Sequence, residues 1–244
     1  MDEQFSRTER ILGEAGMERL RRARVIVFGI GGVGSYAAEA LVRSGIGAID
    51  LVDNDKVAVS NLNRQLFALY STLGMDKVDA AKARLQDISR DCRITVHKMF
   101  YLPENAAEID LSKYDYVLDC IDTVSAKIEL ITRANLAGVR IISCMGAGNK
   151  LDPTKFERTD ISKTTVDPLA RVIRQRLRKK GIHHLTVVCS TEEPRPAAEQ
   201  GAGEWETKGN TGRPAPGSLA FVPSAAGLIM AGAVIEAISG ISGT

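Results

Sequence analysis

The run RVIVF at 24–28 leads straight into GIGGVGS at 29–35, and no other stretch of the chain restricts its fold as much. A continuous apolar run rich in β-branched residues suits a strand buried on both faces of a parallel sheet. A helical pattern from Val33 to about Arg43 follows, with Gly45 as its stop. A second buried strand over 48–53 (AIDLVD) completes a βαβ unit. Gly29, Gly31, Gly32 and Gly34 sit in a GxGxxG arrangement between strand and helix. Such glycines allow a tight turn and close approach of backbone to a phosphate, and the helix N-terminus favours the anion. Asp53 ends the second strand, where an acidic side chain accepts hydrogen bonds from a ribose hydroxyl. The motif predicts a nucleotide and does not separate NAD from ATP.

The alternation continues downstream. It predicts helices over 75–89 and 124–137 and strands over 93–98, 115–121 and 139–144. Strands and helices at this spacing specify an α/β fold, a doubly wound and mostly parallel Rossmann-like sheet. The length of 244 residues allows one such core with an appended piece, divided as 1–150 and 151–244. Asp167-Pro168 reads as N-cap and first position of a helix that runs through PLARVIRQRLRKK (168–180) and stops at Gly181. A short strand over 185–189 comes next. Residues 192–217, rich in Pro, Gly and Glu, read as a mobile loop.

Residues 214–235 carry no charge and are nearly long enough to span a bilayer. Pro216, Gly217 and Pro223 interrupt them, so a strand and helix returning to the core is the reading, with a membrane anchor as the alternative. Four cysteines, none in a CxxC pair, suit reduced thiols and neither a disulfide framework nor zinc. With a charged, polar N-terminus and no visible signal peptide, a cytoplasmic location is expected. The formal net charge of +2 says nothing about partners; only its local distribution does.

SNLNRQ at 60–65 follows the second strand, and Lys77 opens the next helix. A triphosphate carries about four negative charges, and each added pair of opposite charges near 4 Å is worth roughly 4 kcal/mol at an effective dielectric of 20. A carboxylate attacking the α-phosphate adds repulsion between anions. Fixed cations answer that need, and Arg64 and Lys77 are placed to supply them. Either one alone also reads as a solvated surface cation.

GIGGVGS, LVDND (51–55), SNLNRQ, Lys77 and DCID (119–122), in this order and spacing over about residues 7–150, resemble the motif series of the ThiF/MoeB/E1 superfamily. The resemblance implies an E1-like fold that binds ATP and adenylates a carboxylate. It also implies that Asp53 holds the ribose, that Ser60, Asn61, Arg64 and Lys77 lie at the phosphates, and that Asp122 holds Mg²⁺. Independently, Asp122 falls at the tip of a strand, where open α/β sheets bind ligands; it also reads as an N-cap for the helix from Val124. Arg10, in RTERIL, matches an N-terminal arginine that such enzymes project into the site of a partner subunit, which implies a homodimer.

Beyond residue 150, DPT, the TDISKTTVDPLARVIRQRLRKK segment and STE look like the tRNA threonylcarbamoyladenosine dehydratase branch, the TcdA/CsdL group. That likeness implies adenylation of the threonyl carboxylate of a modified adenosine beside the tRNA anticodon, with ring closure expelling AMP. A monovalent cation and a sulfur-transfer partner protein are compatible with the same likeness. Such a cyclisation needs no enzyme thioester, so Cys144 and Cys189 read as small core residues. Arg171, Arg174 and Arg178 share a helix face, with Arg176, Lys179 and Lys180 near, as a phosphate-binding patch for tRNA or a solvated basic helix. Two other functions stay in view: an adenylyltransferase for a ubiquitin-like or sulfur-carrier C-terminus, and a non-catalytic NAD-sensing Rossmann module.

Overall fold

A computed structural model describes residues 3–196 and 215–241. Its strands are β1 (Arg24–Phe28), β2 (Ala48–Val52), β3 (Arg93–His97), β4 (Tyr116–Asp119), β5 (Arg140–Cys144), β6 (Phe156–Asp160) and β7 (Thr186–Ser190). Its helices are α1 (Ser6–Arg22), α2 (Gly34–Arg43), α3 (Lys77–Ile88), α4 (Val124–Leu136), α5 (Pro168–Arg178) and α6 (Phe221–Ser239). One seven-stranded sheet runs in the order β3-β2-β1-β4-β5-β7-β6. All neighbours pair in parallel except β6, which lies antiparallel to β7 at the edge.

The apolar runs occupy the centre, as their patterns require: β2 and β4 are buried at every residue, and β1 at every residue but its first. One face of the sheet packs against α1, α2, α3 and α6, through Met17, Leu20, Leu41, Leu85, Met230 and Val234. The other packs against α4, through Ala126, Leu130 and Ala134, and against α5, through Ile173 and Leu177. Asp167 caps α5 as its sequence position foretells, accepting the Ala170 amide at 2.8 Å.

The polar segment FERTD, which has no apolar run to mark it, forms β6 because an edge strand needs burial on only one side. The strand expected ahead of the C-terminal helix is absent from 215–219, and α6 alone returns to the core. Pro223 stands in the first turn of α6, where a backbone N–H has no intrahelical partner to lose, so the helix begins ahead of it. By length and composition α6 is able to cross a membrane; here half of it is buried in the fold, where it packs on α2 and α1. Within the expected mobile loop 192–217, residues 197–214 lie outside the described ones. Its two described ends meet at Asn149, which accepts the Arg195 amide on its carbonyl at 2.7 Å and the Gly217 amide on Oδ1 at 2.6 Å.

Candidate active site

The strand order reverses between β1 and β4, which are neighbours whose connections leave toward opposite faces of the sheet. A crevice opens at such a switch point beyond the carboxyl ends of the strands. Here it is a cleft of about 600 Å³, lined by the turn after β1, the segments after β2, β4 and β5, and the approach to α6.

Its floor is the glycine turn. Gly29 has φ +86°, and a Cβ there would meet the Cys120 carbonyl oxygen at 2.8 Å. At Gly34 a Cβ would stand 1.8 Å from the Gly29 oxygen, so the helix can start where it does only without a side chain. Gly31 differs, since the nearest atom to a Cβ there is Gln65 Nε2 at 3.8 Å. Packing within the fold therefore does not require a glycine there. Asp53 closes one side. Its Oδ2 accepts the Ile30 amide at 2.6 Å and its Oδ1 the Asp55 amide at 2.9 Å. Burial holds its carboxyl above the usual aspartate range, opposed by nearby Lys77 and by the two amides.

The segment after β2 contributes the cations. A 3-10 turn, Val59–Asn61, sets Asn61, whose Oδ1 accepts the Ala58 amide at 3.1 Å. Arg64 Nη1 donates to the Ser60 carbonyl at 2.8 Å and to Asn63 Oδ1 at 2.9 Å, and its stem lies beside Gly32. Arg64 forms no ion pair with a carboxylate among the described residues. Lys77 is buried at the start of α3, with Nζ 2.7 Å from Asp55 Oδ2. Across the cleft, Cys120, Ile121 and Asp122 line the wall after β4. The N-cap of α4 is Thr123 and not Asp122; the Thr123 hydroxyl stands 3.5 Å from Asp122 Oδ1, and Asp122 is among the residues that line the cleft.

Gly29, Gly31, Gly32, Asp53, Asn61, Arg64, Lys77 and Asp122 all line this one cleft. Gly34 lies just behind its floor, and Ser60 contributes its carbonyl to Arg64. Arg10 is exposed on α1 and is not among the lining residues of its own chain. On α5, Arg171, Arg176 and Arg178 are exposed, as are Lys179 and Lys180 beyond its end. Arg174 is half-buried instead, and its Nη1 donates to the Thr164 carbonyl at 2.9 Å, to the Ile161 carbonyl and to the Thr164 hydroxyl.

Sequence reasoning passed over two parts of the wall. Met145, Gly146, Ala147 and Gly148 follow β5, and their small residues after a strand repeat, in miniature, the signal of the first glycine turn. Phe28 and Tyr101, packed edge to face with centroids 4.8 Å apart, line another side. Cys144 and Cys189 are buried, and burial pushes their thiols up to about 12, which suits the small core residues that the sequence suggested. Among the described residues, no group of three or more His, Cys, Asp or Glu side chains forms a metal cluster.

Residues 4–244 match the ThiF family. The tRNA threonylcarbamoyladenosine dehydratase of Bacillus subtilis (strain 168) is 48% identical over 236 residues, covering 95% of this chain and 93% of that protein. The crystal structure of E. coli tRNA N6-threonylcarbamoyladenosine dehydratase in complex with ATP superposes with a TM-score of 0.85 at 35% identity, covering 97% of this chain and 94% of that one. The same E. coli enzyme in complex with AMP gives a TM-score of 0.86 at 35% identity and the same coverage. The chain belongs to the ThiF family.

Proposed function

We propose that this ThiF-family protein is an ATP-dependent tRNA threonylcarbamoyladenosine dehydratase. The observation that carries the reading is the company of Arg64 and Lys77 in a glycine-floored cleft. These are two cations beyond a turn suited to a phosphate, in a chain that matches tRNA threonylcarbamoyladenosine dehydratases of Bacillus subtilis and E. coli along nearly its whole length.

In this reading the threonyl carboxylate of the modified adenosine attacks the α-phosphorus of ATP and pyrophosphate leaves. A nucleophile of the same modification then attacks the activated carbonyl, its proton is lost, and AMP departs with one carboxylate oxygen; the product is a ring formed by net loss of water. The amides of the glycine turn and the Arg64 guanidinium bind phosphate oxygens, and Lys77 adds charge that Asp55 only partly offsets. Asp53, already oriented by two backbone amides, accepts from the ribose hydroxyls. Mg²⁺ fits Asp122, because this ion is commonly held by one or two carboxylates plus substrate phosphates and needs no protein cage. When bound, it neutralises charge on the phosphates.

The exposed cations of α5 and just beyond it, Arg171, Arg176, Arg178, Lys179 and Lys180, would lie along the tRNA backbone near the anticodon. Arg10, exposed on α1, would complete the site of a second copy in a homodimer. A cytoplasmic location fits such a substrate. ATP–pyrophosphate exchange measured with and without threonylcarbamoylated tRNA tests the function. Exchange and AMP release that depend on the modified tRNA support it. Stimulation by a carrier protein with a free C-terminal glycine, and not by tRNA, would replace it.

A further inference from the structure

Lys127 and Asp119 form a salt bridge with no exposure on either side chain, Nζ to Oδ2 at 2.9 Å. Such a pair does little for stability by itself, because apolar residues of similar volume often do as well or better at the same site. What distinguishes this pair is its set of partners. Lys127 Nζ also donates to the Ile121 carbonyl at 2.9 Å. Asp119 Oδ1 accepts the Ile121 amide at 3.1 Å, while its Oδ2 accepts the Ser143 hydroxyl at 2.5 Å. Both backbone polar groups of Ile121 are thus bound to the pair, one to each charge. Ser143 ties the pair to the neighbouring strand β5.

Ile121 is the residue before Asp122, and α4 begins two residues further on without a side-chain cap. The path from the end of β4 to the cleft wall is therefore set from below, by charges that do not touch the cleft. From this geometry we infer that Lys127 and Asp119 are positioning residues that hold Ile121 so that the Asp122 carboxylate faces the nucleotide. This inference rests on the proposed role of Asp122 toward Mg²⁺. It explains the cost of two buried charges: they fix a loop whose next side chain must not wander.

The test compares ATP affinity in Mg²⁺ with affinity in EDTA by calorimetric titration of the full chain, alongside kcat and KM. The double variant Asp119→Leu/Lys127→Met removes both charges and leaves neither unpaired. The expected result is a folded protein whose thermal midpoint is lowered by the partners lost at Ile121 and Ser143, a loss of most of the Mg²⁺-dependent gain in affinity, and kcat lowered at least tenfold. KM for ATP in Mg²⁺ should rise in step with the lost gain, so both kcat and KM move. A folded double variant that keeps both the gain and kcat overturns the inference. Asp122→Asn separates the two levels. If it keeps the gain, the reading of Asp122 fails. If it loses the gain while the double variant does not, only the role of the buried pair fails. Should the double variant not fold, Ser143→Ala loosens Asp119 alone, and an unchanged kcat and Mg²⁺ gain in that variant overturns the inference equally.

Discussion

Lys77 Nζ stands 2.7 Å from Asp55 Oδ2, so the buried cation of the cleft already has a partner, and that partner's own side chain is 59% exposed. The pair holds the Lys77 side chain in place, and in the proposed reading it sets a carboxylate near the phosphates. Removing Asp55 therefore acts opposite to removing Lys77. Asp55→Asn is expected to tighten ATP binding roughly two- to fivefold, on the order of 1 kcal/mol, because Asp55 is the exposed partner of the pair. Lys77→Met is expected to weaken it tenfold or more, and equilibrium titration with ATP distinguishes the two.

Arg64→Ala is expected to lower kcat on the order of 10²–10³-fold, the scale for losing a preorganised charged donor to developing phosphate charge. Arg64→Lys should recover little. The bonds to the Ser60 carbonyl and Asn63 both use a guanidinium nitrogen, which leaves the rest of the fork for ligand, and an ammonium cannot divide itself that way. Steady-state kinetics of AMP formation with modified tRNA gives the answer.

The two ends of the glycine turn fail differently. Gly34→Ala sets a methyl 1.8 Å from the Gly29 oxygen, and backbone must move to relieve it. A loss above about 4 kcal/mol is expected, which lowers the melting temperature by roughly 8 °C or more in a domain of this size. Gly31→Ala meets nothing nearer than 3.8 Å, so its melting temperature should change by no more than about 2 °C while ATP affinity falls at least tenfold. Thermal melts paired with ATP titrations test both.

Asp53 has its carboxyl raised above the usual aspartate range chiefly by burial. A raised value means the charged form is the penalised one in the folded protein. The stability this group lends is present below its unfolded pKa and is lost as pH rises through the folded one. Ligand binding runs the other way, because ribose hydroxyls donate to the ionised carboxylate. ATP affinity should therefore rise as pH climbs through the Asp53 pKa and then level off. Asp53→Asn should flatten that rise, and affinity measured across the acidic range decides the matter.

Along α5, Arg171→Ala and Arg178→Ala should each weaken tRNA binding and reduce the slope of log affinity against log salt by about 0.7–0.9 per lost phosphate contact. Arg174→Ala should act mainly on stability, since its guanidinium holds the Thr164 and Ile161 carbonyls. Salt titrations of tRNA binding, read beside melting curves, separate these effects.

Local chemistry was legible wherever the chain enforces it within a few residues. The strand-turn-helix from Arg24 to Arg43, the capped start of α5 at Asp167 and the buried run of β4 follow from apolar pattern, glycine and capping, whose physics acts over a turn or two. The gathering of Asp53, Arg64, Lys77 and Asp122 was implied by the resemblance to the ThiF/MoeB/E1 motif series, yet that they share a wall depends on β1 pairing with both β2 and β4. Nothing local in FERTD announces a strand, because β6 exists only where β7 offers an edge. Arg174 reads like its neighbours until the 161–164 turn folds against it. Lys127 looks like any surface lysine of an amphipathic helix until Asp119 and Ile121 close over it. The sequence by itself determined the nucleotide turn and the supply of charges, since these are properties of residue type and short spacing. Tertiary structure alone decided which charges are buried, paired or left to face the cleft, because burial and partnership are set by segments far apart in the chain.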